Sequence, residues 1–212
     1  MGTLIGWEFE SEARAKGFTL IAGVDEVGRG PLAGPVVAGA VILPEDFDCT
    51  GINDSKKLSA EQREKAYERI MADATAVGFG IIGPSVIDEI NILRATHMAM
   101  KAALDDLGVV CDFVFVDGLP VQGLCVNCTA LVKGDSKCVS IAAASIVAKV
   151  TRDRMMQDMD VEYPQYGFAT HMGYGTKDHL AAIQKHGPCP HHRMSFAPIK
   201  QESVNCVLPG LE

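Results

Sequence analysis

No apolar stretch in these 212 residues approaches the roughly 20 needed to cross a bilayer. The opening MGTLIGWEFESEARAKGF is acidic and has neither an apolar leader core nor a cleavage site, so nothing in it directs export and a cytoplasmic location is expected. Met1-Gly2 lacks the Ser or Thr that myristoylation needs at position 6, which is Gly. Internal repeats and low-complexity linkers are missing too. Length and an ordinary balance of 48% hydrophobic and 22% charged residues fit one globular domain with at most a small appendage.

A second CxxC is also missing. Seven cysteines stand at 49, 111, 125, 128, 138, 189 and 206, an odd count with several inside apolar runs, as expected of reduced, buried thiols. Cys125 and Cys128 make a single CxxC, with Cys189, His191 and His192 downstream. A structural zinc needs four convergent ligands, and the β-like neighbours of this CxxC do not favour one.

Positive charge is scarce as well. A net charge of −8 argues against polyanion binding over the whole surface. Its distribution qualifies that: residues 1–50 hold three Lys/Arg against eight Asp/Glu, whereas residues 133–200 hold nine against six. Five of the six histidines fall between 171 and 192. An acidic front and a basic rear suit a protein that meets nucleic acid with one face.

What the chain does have begins at Leu20–Leu43, LIAGVDEVGRGPLAGPVVAGAVIL. One apolar run ends in Asp25 and Glu26; a Gly-rich segment, Gly28-Arg29-Gly30-Pro31, leads to a second run. The pattern predicts paired strands at about 18–24 and 36–43. Carboxylates at the end of a buried strand are costly to desolvate without a cation or partner. Glycines on either side of Arg29 let a ligand approach the chain closely.

Further strands are expected at 76–82, 111–116 and 124–131. Helices are expected within 3–16, at 60–73 with Ser59 and Gln62 as a capping box, from Pro84 to about Leu107, at 140–159 and at 176–186. The first two strands are too close for a crossover and must be antiparallel. With strands four and five parallel to the first, Asp25 and Asp117 fall on the same edge of the sheet, where α/β folds build sites. The fold expected is α/β, a mixed five-stranded sheet flanked by helices. Residues 1–160 would form its catalytic body and 161–212 a helical cap packed on it.

Asp25, Glu26 and Asp117 sit where a buried strand ends, and Asp135 opens a helix after a Gly turn. Four carboxylates suit hard divalent ions such as Mg²⁺ or Mn²⁺. Two such ions roughly 4 Å apart can activate a water and stabilise the leaving oxygen of a phosphodiester. Consecutive strand residues point to opposite faces, so bringing Asp25 and Glu26 together predicts an irregular backbone at 25–28, or a carbonyl in place of a carboxylate.

These segments closely resemble bacterial ribonuclease HII, the type 2 ribonuclease H family. The matching stretches are AGVDEVGRGPLAGPVVAGAVIL, NDSKKLS, VDGLP, KGDSKCVSIAAASIVAKVTRDR, YPQYGFATHMGYGT and HHRMSF, which cover most of the chain in the family's order. The resemblance implies a ribonuclease H-like domain with a C-terminal helical extension. It also implies Mg²⁺- or Mn²⁺-dependent cleavage of RNA in RNA·DNA hybrids and nicking 5′ of single ribonucleotides in duplex DNA, leaving 3′-hydroxyl and 5′-phosphate ends. Asp25, Glu26, Asp117 and Asp135 match the family's four metal-binding, catalytic acids. Gly28, Arg29 and Gly30 match the loop whose backbone reads the 2′-hydroxyl, and Tyr174 the tyrosine beside the neighbouring sugar. Lys56 and Lys57 resemble loop lysines near backbone phosphates. Met172 stands where the family often has lysine, and Cys138 where it often has an aliphatic residue.

The chain is expected to act as a monomer on RNA·DNA hybrid and ribonucleotide-containing duplex. The related ribonuclease HIII group carries an N-terminal substrate-binding domain, for which a first motif near residue 20 leaves no room. A non-catalytic hybrid-binding protein of the same fold would usually have lost an acid, and all four are present. A phosphatase for small phosphoesters would need neither the GRG loop nor Tyr174. The terminal SVNCVLPGLE holds no obvious clamp-binding peptide.

Overall fold

The computed structural model describes residues 5–121, 123–124 and 127–202. Cys125 of the CxxC and the terminal SVNCVLPGLE therefore lie outside the described residues. Five strands, β1 (Ile21–Val27), β2 (Val36–Ile42), β3 (Ala76–Ile82), β4 (Phe113–Asp117) and β5 (Asn127–Leu131), form one sheet in the order β3-β2-β1-β4-β5. β1 is antiparallel to β2 and parallel to β4, which is parallel to β5. The α/β fold expected from the sequence, a mixed five-stranded sheet flanked by helices, is the fold found.

Helices cover both faces. On one lies α5 (Val139–Glu162), whose first half, SIAAASIVA, is buried. Small residues on both sides set that approach. A Cβ on Gly23 would stand 2.1 Å from the Ser140 carbonyl carbon, and one on Gly39 2.7 Å from the Ala144 oxygen. Helix α2 (Ala60–Asp73) packs beside α5, its start fixed by the expected capping box: Gln62 N–H donates to Ser59 Oγ at 3.2 Å and Ser59 N–H to Gln62 Oε1 at 2.9 Å. The other face carries α3 (Pro84–Ile90) and α4 (Ile92–Asp105), with Ala95, Ala99 and Ala103 buried against β2 and β3.

The single helix expected from Pro84 to Leu107 is two. Asn91 adopts a left-handed φ of 70° and its Oδ1 accepts from Leu93 and Arg94 N–H, at 3.0 and 3.1 Å. A side chain that caps a new helix competes with the backbone bond that would continue the old one.

The N-terminal helix, α1 (Glu8–Ala15), is shorter than 3–16 and serves α5. Glu10 is 1% exposed, and its Oε1 accepts from Ser140 N–H at 2.9 Å and Cys138 Sγ at 3.0 Å. A carboxylate thus closes the N-terminus of the central helix, where the backbone leaves donors unpaired. Beyond α5 come α6 (Phe168–His171), α7 (Lys177–His186) and α8 (Ile199–Glu202), which share a small core with Leu32, Ala33 and Met156. No helix among the described residues is long and apolar enough to cross a membrane.

Candidate active site

Register alone sets two of the acids side by side. Val24 of β1 pairs with Val116 of β4, so Asp25 and Asp117 follow at the same level on parallel neighbours, both on the α5 face. Asp135 arrives from the 3-10 turn Gly134–Ser136 that precedes α5. Carboxylate oxygens of Asp25, Asp117 and Asp135 all lie within 4.8 Å of one another, with Asp25 and Asp135 buried. Gly134 N–H donates to Asp117 Oδ1 at 2.6 Å, tying the turn to the strand end.

Crowding shows in their ionisation. Burial, then the charges of Glu26 and Asp117, push the Asp25 carboxyl well above the usual carboxylate range. Asp135 is raised by burial and by Asp54 and Asp117, against the pull of Lys56 and Lys57. Two like charges in a poorly hydrated place favour a shared proton or a bound cation. Oxygen-only donors at this spacing fit a hard divalent ion.

Glu26 stands apart. The irregular backbone expected at 25–28 is not found through Val27: Asp25, Glu26 and Val27 keep regular pairing with Gly39, Ala38 and Val37, and only Gly28 departs, with φ +91°. A regular strand sends Glu26 to the opposite face from Asp25. There its Oε1 accepts from Arg29 Nη1 at 3.2 Å, and burial raises its carboxyl against that arginine. Glu26 is not part of the three-acid group.

The other expected residues gather round the same sheet end. Lys56 Nζ is 3.8 Å from Asp135 Oδ2; burial lowers its ammonium, but Asp135, Asp25, Asp54 and Asp117 together outweigh that and raise it. Lys57 instead pairs with Asp54 at 3.8 Å. Tyr174 is exposed, and its Cε1 is 3.5 Å from where a Cβ of Gly30 would stand, so tyrosine and GRG loop form one surface.

Sequence reasoning missed the supports. Ser145 of α5 lowers the Asp25 carboxyl against the effect of burial, and its Oγ lies 2.9 Å from Ser55 Oγ, linking α5 to the NDSKKLS loop. Asp54 supplies a further charge beside Asp135. Arg152 and Arg193, fully buried, bind the carbonyls of the 28–35 loop. A serine in a small-residue helix and arginines in a basic region carry no local signal of such roles. Met172, with a left-handed φ of 51°, offers its carbonyl to Arg152 Nη1 at 3.0 Å.

Comparison with known proteins gives this geometry a family. Residues 22–199 match the family model described as Ribonuclease HII. The chain is 56% identical to Ribonuclease HII of Bacillus mycoides over 193 residues, covering 91% of this chain and 75% of the relative. It is also 56% identical to Ribonuclease HII of Listeria monocytogenes over 198 residues, 93% and 76% of the two chains. Among solved structures, ribonuclease H2 from Pyrococcus horikoshii superimposes with a TM-score of 0.73 at 27% identity, covering 86% of this chain and 96% of that one. The RNase HII in the PCNA:RNase HII complex from Archaeoglobus fulgidus gives 0.71 at 26% identity, covering 84% and 95%. Three acids meeting at one sheet end, inside a chain matched over nearly its whole length, make this protein a member of the ribonuclease HII family.

Proposed function

We propose that the ribonuclease HII activity of this chain, endonucleolytic hydrolysis of RNA in RNA·DNA hybrids, depends on two Mg²⁺ or Mn²⁺ ions held by Asp25, Asp117 and Asp135. The observation that carries this is the convergence of three carboxylates, two of them buried, with Asp25 driven above its ordinary pKa by burial and like charge. When bound, the ions supply an activated water and charge stabilisation for the departing 3′-oxygen.

The chain's own residues do the rest. Glu26 N–H fixes the Asp25 carboxylate by a hydrogen bond of 2.7 Å, and Gly134 N–H fixes that of Asp117. Asp135 draws Lys56 to the rim, where its ammonium meets a backbone phosphate; Lys57, one step back, adds a second contact. Glu26, paired with Arg29 on the far face of β1, acts on Asp25 through its charge. Gly28, Arg29 and Gly30 present backbone to the ribose 2′-hydroxyl, which distinguishes RNA from DNA. Tyr174 packs on the sugar that follows. On this reading the enzyme also nicks 5′ of single ribonucleotides in duplex DNA and works as a monomer.

Cleavage mapping on a duplex with one ribonucleotide, with Mg²⁺ and Mn²⁺ in turn, tests it. A nick 5′ of the ribonucleotide that leaves a 3′-hydroxyl, absent with chelator, is expected. Equal cutting of an all-deoxy duplex would overturn the assignment of the GRG loop, and undiminished cutting in chelator would overturn the ions.

A further inference from the structure

Arg152 and Arg193 are both 0% exposed, and among the described residues neither has a carboxylate within 4.0 Å. The nearest acids are engaged elsewhere. Asp88 accepts from Met194 N–H, Ser195 N–H and Ser195 Oγ; Asp153 accepts from Lys149 Nζ at 2.6 Å and lies 3.9 Å from Arg63. Instead the guanidiniums are filled with carbonyl oxygens, all but that of Met172 from the 28–35 loop. Arg193 donates to Gly28 O at 2.5 Å, Arg29 O at 2.9 Å and Gly34 O at 2.8 and 3.0 Å. Arg152 donates to Pro35 O at 3.0 Å, Ala33 O at 3.2 Å and Met172 O at 3.0 Å. Glycine makes the room: a Cβ on Gly28 would stand 2.2 Å from Arg152 Nε.

Two buried cations on dipoles alone are an expensive way to hold a loop. They have a directional consequence. The carbonyl of Gly28 shares a peptide plane with the N–H of Arg29, and that of Arg29 with the N–H of Gly30. In a trans peptide the C=O and N–H point opposite ways. Drawing both oxygens inward onto Arg193 therefore turns the Arg29 and Gly30 N–H groups outward, and among the described residues neither has an acceptor. A carbonyl bound to a cation also makes the amide of its own unit a stronger donor.

We propose that Arg193, backed by Arg152, is a positioning residue for substrate recognition, holding the Arg29 and Gly30 amides outward as donors to an oxygen of the ribonucleotide strand, whose phosphate supplies the counter-charge the buried pair lacks. This deepens the reading of the GRG loop above and rests on it. Burial and the neighbouring Arg152 lower Arg193 to about 9, as two uncompensated cations require, and burial lowers Arg152 too. An ammonium cannot replace the fork, because it lacks the planar set of donors that reaches three carbonyls at once.

The test uses the whole chain, free and with duplex. In Arg193→Lys and Arg152→Lys, thermal melting and amide NMR report fold and loop, and binding without divalent ions compares a duplex containing one ribonucleotide with its all-deoxy counterpart. We expect melting midpoints within a few degrees of wild type, displaced Arg29 and Gly30 amide signals, and at least a fivefold fall in ribonucleotide preference for Arg193→Lys. Unchanged signals and preference in a folded Arg193→Lys overturn the proposal. Should the variants fail to fold, wild type decides: titration with inorganic phosphate is expected to move the Arg29 and Gly30 amides and the Arg193 Nε–H together, and no movement overturns it. Absence of ribonucleotide preference in wild type itself would count against the GRG reading, while the free-protein amide signals still judge Arg193.

Discussion

Asp25 and Asp117 stand one residue beyond the Val24–Val116 pair of parallel β1 and β4, side by side on the face covered by α5; Asp117 ends its strand, whereas β1 runs on to Val27. Asp135 reaches them from the turn that begins α5, and the three sets of carboxylate oxygens fall within 4.8 Å.

Replacing Asp117 or Asp25 with Asn keeps size and removes charge. Each change should lower cleavage of an RNA·DNA hybrid by at least about 100-fold, beyond what loss of an outer metal contact costs, with the circular dichroism spectrum unchanged. Activity within tenfold of wild type in both variants would refute the assignment.

Asp25 should also be a burden to the metal-free protein. Its carboxyl is raised in the folded state by burial, Glu26 and Asp117. The folded state then holds a proton that the unfolded chain gives up near pH 4, so stability falls as pH rises from there through the folded pKa. In chelator at pH 8, Asp25→Asn should melt higher than wild type. Added Mg²⁺ should raise the wild-type midpoint and leave that of the variant nearly still.

Acid should loosen the cap around α7. His192 Nδ1 accepts from Cys189 N–H at 2.9 Å, its Nε2 lies 3.1 Å from His179 Nε2, and His179 Nδ1 donates to Tyr174 O at 2.9 Å. One neutral arrangement satisfies all three bonds, with the shared proton on His192 Nε2; an added proton would set N–H against N–H. Burial and His179 lower His192 to about 4, and burial lowers His179. The unfolded chain binds protons that the folded one refuses, so stability present above pH 6.5 is lost between there and about 4. His192→Asn should flatten the melting profile in that window; an equally steep profile would contradict the arrangement.

Glu10 should matter although it is far from the acids in sequence and chemistry. Truncation to Ala removes the acceptor for Ser140 N–H and Cys138 Sγ at the buried start of α5. Urea unfolding should show a loss of about 1.5–3 kcal/mol, with kcat on hybrid little changed in the folded fraction. A loss below about 0.5 kcal/mol would show that the bonds are replaced at no cost.

The five strands, β1 being found at Ile21–Val27 rather than 18–24 and so containing Asp25 and Glu26, the helix starts at Ser59 and Thr176, and three of the four acids in their mutual places were legible from the chain. Apolar runs, caps and strand-end carboxylates are local signals, and parallel β1 and β4 follow from their order. Face and depth were not. Glu26 is separated from Asp25 because β1 stays regular to Val27, held by its ladder with β2 rather than by anything in DEVG. Asn91 divides a helix whose apolar spacing runs straight through it. Arg152 and Arg193 count in the sequence as part of a basic rear, yet both are buried on the carbonyls of a loop over a hundred residues away. Composition and periodicity settle what each stretch becomes, since those preferences are paid within a few residues; only tertiary packing decides which charges lose water and what takes its place.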